Sequence, residues 1–168
     1  MDLSQVYREH YRSLVRFLYR RIGDQARAED LAQEAFVRAL EHRPSNPRGW
    51  LFTVAANLAR DEGRRASVRK RHLTLIKAEA AATESEPGPD VALERGEKVL
   101  RVQAALARLS ERDREALLLW EEGLSYDEIA AVLGLSRGSI GTTLARARER
   151  LATAYTDLEP AEEDDVAS

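Results

Sequence analysis

The sequence has no cysteine, which excludes a disulfide framework, a thiol nucleophile, a zinc finger and an iron–sulfur cluster. Histidine is scarce, and His10, His42 and His72 are scattered without the paired spacing of a metal site. Nine glycines and five prolines among 168 residues are too few for a fibrous or wholly low-complexity chain. No apolar run is long enough to span a bilayer, and the opening residues MDLSQVYR lack the apolar core of a signal peptide. These absences point to a soluble, cytoplasmic, largely helical protein without membrane insertion.

Charge is what the chain has in quantity. A third of its residues are Asp, Glu, Lys or Arg, while an apolar share of 43% excludes wholesale disorder. The net charge of -3 hides segregation. Residues 1–65 carry 12 basic and 9 acidic side chains, and residues 66–77 carry 4 basic and no acidic ones. Residues 78–97 hold 6 acidic against 1 basic, and the last twelve residues hold 6 acidic and none basic. Basic patches therefore alternate with acidic segments, and an anionic partner remains compatible with the mild overall acidity.

Apolar spacing predicts helices. Leu3, Val6, Tyr7, Leu14, Val15, Leu18 and Ile22 form a stripe ended by Gly23-Asp24. Leu31, Ala35, Phe36, Ala39 and Leu40 form a second over 26–42. Asn46 before Pro47 starts a third, which buries Leu51, Val54, Ala55 and Leu58 and extends to about Arg71. Residues 79–97, acidic and broken by Pro87-Gly88-Pro89, read as a linker and a domain boundary. A helix from Lys98 to Leu109 then carries Val99, Val102, Ala105, Leu106 and Leu109. Ser110 caps the next, which runs to Gly123, and Ser125 with Glu128 matches a capping box opening the helix that ends at Gly134. Ser136 is placed to cap the last helix, with Ile140, Leu144, Ala147, Leu151 and Tyr155 inward. The expectation is an all-α chain of two small helical domains joined by a flexible acidic linker, 1–71 and 98–156, with linker 72–97 and an acidic tail 157–168.

Three stretches invite chemistry. Residues 126–145 read as a helix-turn-helix, with Ala130 at the crossing and Gly134 in the turn. Arg137, Ser139, Thr142, Thr143 and Arg146 face outward, side chains suited to phosphates and base edges; the alternative is a helical hairpin with a solvated face. The helix from Pro47 gathers Arg60, Arg64, Arg65, Arg69, Lys70 and Arg71, with Trp50 and Asn57 upstream. That set suits a phosphate track and base stacking on an opened strand, or else a basic helix end answering its own dipole with Trp50 in the core. Asp30, Gln33 and Glu34 form one polar patch within about a helical turn. No constellation of nucleophile, base, metal ligands or phosphate-binding glycine loop appears, so neither an enzyme nor a cofactor is indicated.

Taken in order, AEDLAQEAFVRAL (28–40), PRGWLFTVAANLARDEGRR (47–65) and LSYDEIAAVLGLSRGSIGTTLARARERL (124–151) resemble the extracytoplasmic-function class of bacterial sigma factors, in the sigma-seventy family. The resemblance covers nearly all of the chain except linker and tail. It implies a sigma factor that binds core RNA polymerase and directs promoter recognition and DNA opening. Residues 1–71 would be a region 2 domain and 98–156 a region 4 domain. Asp30, Leu31, Gln33 and Glu34 would dock on the clamp helices of the beta-prime subunit, with the beta flap as a further polymerase contact. Arg43, Ser45, Asn46, Trp50, Asn57, Arg60, Arg64 and Arg65 would read and melt the minus-ten element, and the second helix of the helix-turn-helix would read the minus-thirty-five element in the major groove. An anti-sigma factor is the expected restraining partner.

One departure stands out. Where relatives of this class commonly carry a Lys-Ser-Arg-like triplet, Ile140 is followed here by Gly141-Thr142-Thr143, so phosphate anchoring is expected to be weaker or to shift to Arg137, Arg146 and Arg148. The acidic residues Glu79, Glu84, Glu86, Asp90 and Glu94 could mimic a phosphate chain or form a solvated tether, and the tail could mask the basic face of the second domain. The competing function is a stand-alone helix-turn-helix regulator of duplex DNA. A helical adaptor is a third reading, against which the Arg60–Arg71 cluster speaks.

Overall fold

The first helix is fixed at both ends by its own residues. The Asp2 carboxylate accepts from the Ser4 N–H at 3.0 Å, and Gly23 closes the helix in the left-handed region at φ 79°. The computed structural model describes residues 2–76 and 90–159, with side chains over 2–65 and 96–159. Among these residues the elements are α1 (Leu3–Ile22), α2 (Gln25–His42), α3 (Pro47–Ile76), α4 (Asp90–Arg108), α5 (Glu111–Glu121), α6 (Tyr126–Leu133) and α7 (Arg137–Asp157).

α1, α2 and α3 form a bundle. Asp24 caps α2 by accepting from the Arg27 N–H at 3.1 Å. α2 then presents an alanine-rich inner face, Ala28, Ala32, Ala35 and Ala39 beside Leu31 and Phe36, which lets the larger side chains of its neighbours approach closely. Leu14, Phe17 and Leu18 of α1 meet Leu51, Phe52, Ala55, Ala56 and Ala59 of α3, with the Phe17 and Phe52 rings edge-on at 5.5 Å. Asn46 begins α3 as expected: its carbonyl accepts from the Trp50 N–H at 3.1 Å. The helix ends five residues past Arg71, at Ile76.

The second bundle opens earlier than its composition suggests. α4 starts at Asp90 instead of Lys98, because the acidic run after Pro89 is also rich in Ala, Leu, Glu and Arg, all good helix formers. The Ser110 cap bonds to the Asp113 N–H at 3.2 Å, and the capping box of α6 is complete, Glu128 N–H to Ser125 Oγ and Ser125 N–H to Glu128 Oε1. Gly134 supplies the left-handed turn at φ 67°. Ser136 differs from expectation: its side chain makes no cap bond, and its carbonyl instead accepts from the N–H and the hydroxyl of Ser139. Ile140, Leu144 and Ala147 face inward as expected, while Leu151 and Tyr155 are half-buried.

Four apolar positions assigned to buried stripes lie outside. Tyr7 is 40% exposed, Leu40 55%, Val99 54% and Val102 40%; the contacts of their helices are made by other residues, Ala39 on α2 and Ala105, Leu106 and Leu109 on α4 among them. The two bundles are not separate bodies. α3 packs on α6 and α1 on α5, and one apolar cluster runs from Leu14 through Leu106 and Leu119 to Leu144.

Candidate nucleic-acid interface

Asp30, Gln33 and Glu34 are all exposed on α2, with Asp30 3.4 Å from Arg27 and Glu34 2.7 Å from Arg38. Leu31 does not share that surface. It is 4% exposed and belongs to the core, since it lies on the inner stripe with Ala28 and Ala35. The face continues instead to Val37, 57% exposed, and Leu40. Sequence reasoning missed Val37, although its spacing of seven residues from Asp30 places it on the same side of the helix.

The loop from Arg43 to Asn46 is exposed and tight. Arg43 takes the left-handed conformation at φ 45°, and its N–H closes α2 on the Ala39 carbonyl at 2.9 Å. Gly49 follows on a buried turn where a Cβ would come within 3.1 Å of Asn46 Nδ2. Trp50 is half-buried, with its ring stacked on His42 at 5.6 Å, so that one ring face is already covered.

Further along α3, Asn57, Arg60 and Arg64 recur every three or four residues on one side, with Arg65 beside them. Arg60 donates through Nη1 to Asn57 Oδ1 at 2.9 Å, which joins two of the expected contact residues. Arg64 and Arg65 are exposed, and among the described residues Arg64 makes a loose 3.9 Å approach to Asp61. Arg27 pins α2 to this helix through a two-bond contact with Glu62, at 2.9 and 2.8 Å. Arg69, Lys70 and Arg71 lie in α3, but their side chains are outside the described residues, as are those of the acidic segment (Glu79, Glu84, Glu86, Asp90 and Glu94) and the tail from Pro160.

On α7 the outward residues divide. Thr142 and Arg146 are exposed one turn apart. Ser139 and Thr143 donate their hydroxyls to the carbonyls of Ser136 and Ser139, both at 2.8 Å, leaving their oxygens only as acceptors. Arg137 meets the exposed Asp127 at 3.1 Å. Arg148 lies over the Trp120 ring, 5.8 Å from its centroid. Among the described residues no group of three or more His, Asp or Glu side chains is placed to hold a metal ion, and no helix is long and apolar enough to cross a membrane.

Between the bundles lies a set of ionic contacts that the sequence did not disclose. Arg48 forks onto Glu128, Arg60 onto Glu115 and Arg16 onto Glu122, each through two nitrogens. Hydrogen bonds from Arg48 hold the Glu128 carboxyl below the usual carboxylate range against the opposing effect of burial.

Comparison with known proteins resolves what this pair of bundles is. Residues 6–69 match the family model of sigma-70 region 2, and residues 100–151 match that of sigma-70 region 4. The chain is 33% identical over 156 residues to the RNA polymerase sigma factor YlaC of Bacillus subtilis, an alignment covering 89% of this chain and 90% of that one. It is 34% identical over 168 residues to the ECF RNA polymerase sigma factor SigL of Mycobacterium tuberculosis, covering 93% and 90%. The chain belongs to the ECF RNA polymerase sigma factors. The fold agrees: the sigma factor RpoE of Bartonella quintana, solved in complex with the anti-sigma factor NepR, superposes with a TM-score of 0.69 at 26% identity, covering 95% of this chain and 99% of that one.

This sigma factor directs RNA polymerase to promoters. Its region 2 match contains every residue from Asp30 to Arg65 discussed above, and its region 4 match contains Arg137 to Arg146. A stand-alone helix-turn-helix regulator accounts for the second match and not for the first.

Proposed function

We propose a division of labour among these surfaces. Asp30, Gln33 and Glu34, joined by Val37 and Leu40, dock on the clamp helices of the polymerase beta-prime subunit, while Leu31 supports that face from beneath. The loop Arg43, Ser45 and Asn46, with Trp50, Asn57, Arg60, Arg64 and Arg65, reads and melts the minus-ten element. Arg137, Ser139, Thr142, Thr143 and Arg146 read the minus-thirty-five element as duplex, and region 4 also contacts the beta flap. An anti-sigma factor restrains the chain, as the complex of its structural relative suggests.

The single observation that carries the reading is the line of Asn57, Arg60 and Arg64 along one side of α3. A line of donors at helical spacing can follow the phosphates of a single strand while bases are drawn away from the stack. α7 offers Thr142 and Arg146 on one side, the short spacing a major-groove helix needs.

Holoenzyme reconstituted from core polymerase and this chain, on one of its own promoters, tests the division. Arg64→Ala with Arg65→Ala is expected to suppress permanganate reactivity of minus-ten thymines while duplex loading persists. Thr142→Ala with Arg146→Ala is expected to weaken loading itself. Unchanged opening and loading in both variants contradict the assignment.

A further inference from the structure

Region 4 meets region 2 through carboxylates as well as through apolar packing. Glu115, 1% exposed, accepts from Arg60 through Nε at 3.1 Å and Nη2 at 2.6 Å, and from Arg21 Nε at 3.3 Å. The Glu122 side chain, also 1% exposed, accepts from Arg16 Nε and Nη2 at 2.8 Å each, with Arg20 Nη1 3.8 Å away. Glu128 takes Arg48 through Nε at 3.0 Å and Nη2 at 2.5 Å. Arg21 also donates to Glu111, so four glutamates on one bundle engage five arginines on the other. The main pairs are fork to fork, the geometry in which a guanidinium also takes a phosphate.

Two of those forks stand on α3. Arg60 is bonded to Asn57 and precedes Arg64 on the same side of the helix. While Glu115 occupies its Nε and Nη2, Arg60 has no free fork to offer a nucleic-acid strand. Closure also carries an opposing element. Arg114 is half-buried beside Arg21, and its Nε has no hydrogen-bond partner among the described residues. Burial and the neighbouring Arg21 charge disfavour its charged form and outweigh the nearby Glu111 and Glu115, which favour it. Separating the bundles takes the Arg21 charge away from that guanidinium, so the closed arrangement holds like charges together as well as unlike ones.

We propose that this interface is an autoinhibitory clasp: Glu115, Glu122 and Glu128 of region 4 occupy the forks of Arg60, Arg16 and Arg48, and the phosphate backbone of a single DNA strand competes for the α3 forks, so that closure and strand binding exclude one another. The proposal rests on the reading of the Asn57–Arg65 line as strand-contacting. It assigns to the free chain a restraint that needs no second protein. The carboxylates act as internal stand-ins for phosphate.

The full chain is suited to the test because it has no cysteine, so exposed Ala26→Cys and Ala152→Cys give two unique dye sites. In the otherwise native chain, a roughly 20-nucleotide oligothymidylate is expected to lower energy transfer between the dyes, and raising salt is expected to do the same. Glu115→Gln with Glu122→Gln is expected to lower transfer without DNA and to tighten oligothymidylate binding roughly tenfold. Glu41→Gln with Glu149→Gln removes two exposed carboxylates elsewhere and is expected to change neither by as much. Transfer that is insensitive to the oligonucleotide in the native chain overturns the proposal even if the glutamine variant fails to fold. Transfer lost in that variant with no gain in strand affinity over the control overturns the masking. If Arg64→Ala with Arg65→Ala then also leaves strand affinity unchanged, the strand-contact reading has failed too; if it weakens affinity, that reading survives without the clasp.

Discussion

Arg48 on α3 donates through Nε and Nη2 to the carboxylate of Glu128, the same carboxylate whose Oε1 accepts the Ser125 N–H and completes the capping box of α6. One side chain thus starts a helix of the helix-turn-helix and ties it to region 2. The two roles can be separated by substitution. Glu128→Gln keeps an acceptor for the Ser125 N–H, since Gln also serves in a capping box, but loses the charge paired with Arg48. Glu128→Ala loses both. The alanine variant is expected to be less stable than the glutamine variant by about 1 kcal/mol, measured as the difference in urea unfolding free energy. Equal stabilities contradict the double role.

His10 lies beside this pair and gives stability a direction with pH. Burial, helped by the Arg48 charge and opposed by Glu9 and Glu128, holds its pKa below the ordinary 6.5. As pH falls through 6.5 the unfolded chain takes the proton first, so stability decreases from there downward. Glu128 acts in the same direction at lower pH. Its pKa lies below the ordinary 4.5, so its contribution is full above that value and is lost as pH falls through the depressed one. Urea midpoints are expected to drop in two stages on acidification, and His10→Gln is expected to remove the upper stage. A midpoint that does not move between about pH 8 and about pH 5 contradicts the placement of His10.

Gly141 is not required by packing. A Cβ there would meet nothing nearer than Cε2 and the hydroxyl of Tyr126, at 3.8 and 3.9 Å, an ordinary contact. Gly141→Ala is therefore expected to stabilise the chain by about 1 kcal/mol through helix propensity alone, raising the thermal midpoint. A lower midpoint would show a close approach that the structure does not contain.

How far the sequence reached depends on which physical signal a feature leaves. Caps and turns are local, so the stop at Gly23, the Asn46-Pro47 start, Ser110, the Ser125–Glu128 box and Gly134 were legible, and with them the helix boundaries that they set, while the Asp24 cap of α2 was not. The start of α4 was not, because acidic composition and helix propensity point in opposite directions over 90–97 and propensity wins. Leu40, Val99 and Val102 look like core by periodicity. They lie outside because other residues of the same helices make the contact, Ala39 on α2 and Ala105, Leu106 and Leu109 on α4, a choice set by tertiary packing. The polar patch Asp30, Gln33 and Glu34 is legible as a helix face and Leu31 as part of the apolar stripe; only the family resemblance joins Leu31 to the docking set. The ionic clasp left no trace in sequence, since its partners stand between 55 and 106 residues apart.

Leu31 and its polar neighbours should respond differently to truncation. Leu31→Ala removes a buried side chain and is expected to cost about 2–5 kcal/mol of stability. Gln33→Ala and Val37→Ala remove exposed groups, and each is expected to leave stability within about 0.5 kcal/mol while weakening the complex with core polymerase. Chemical denaturation and a binding titration with purified core enzyme separate the two classes. Loss of stability in the exposed variants contradicts their assignment to a docking face.

The most direct measurement of the central claim is transcription in vitro by purified core RNA polymerase, with and without this chain, on a pool of upstream fragments from its own genome. Discrete transcripts that depend on the chain, and that disappear when Arg64→Ala with Arg65→Ala replaces it, are the predicted result. Transcripts unaffected by that replacement contradict the assignment of α3 to promoter opening, and an absence of dependent transcripts contradicts the account as a whole.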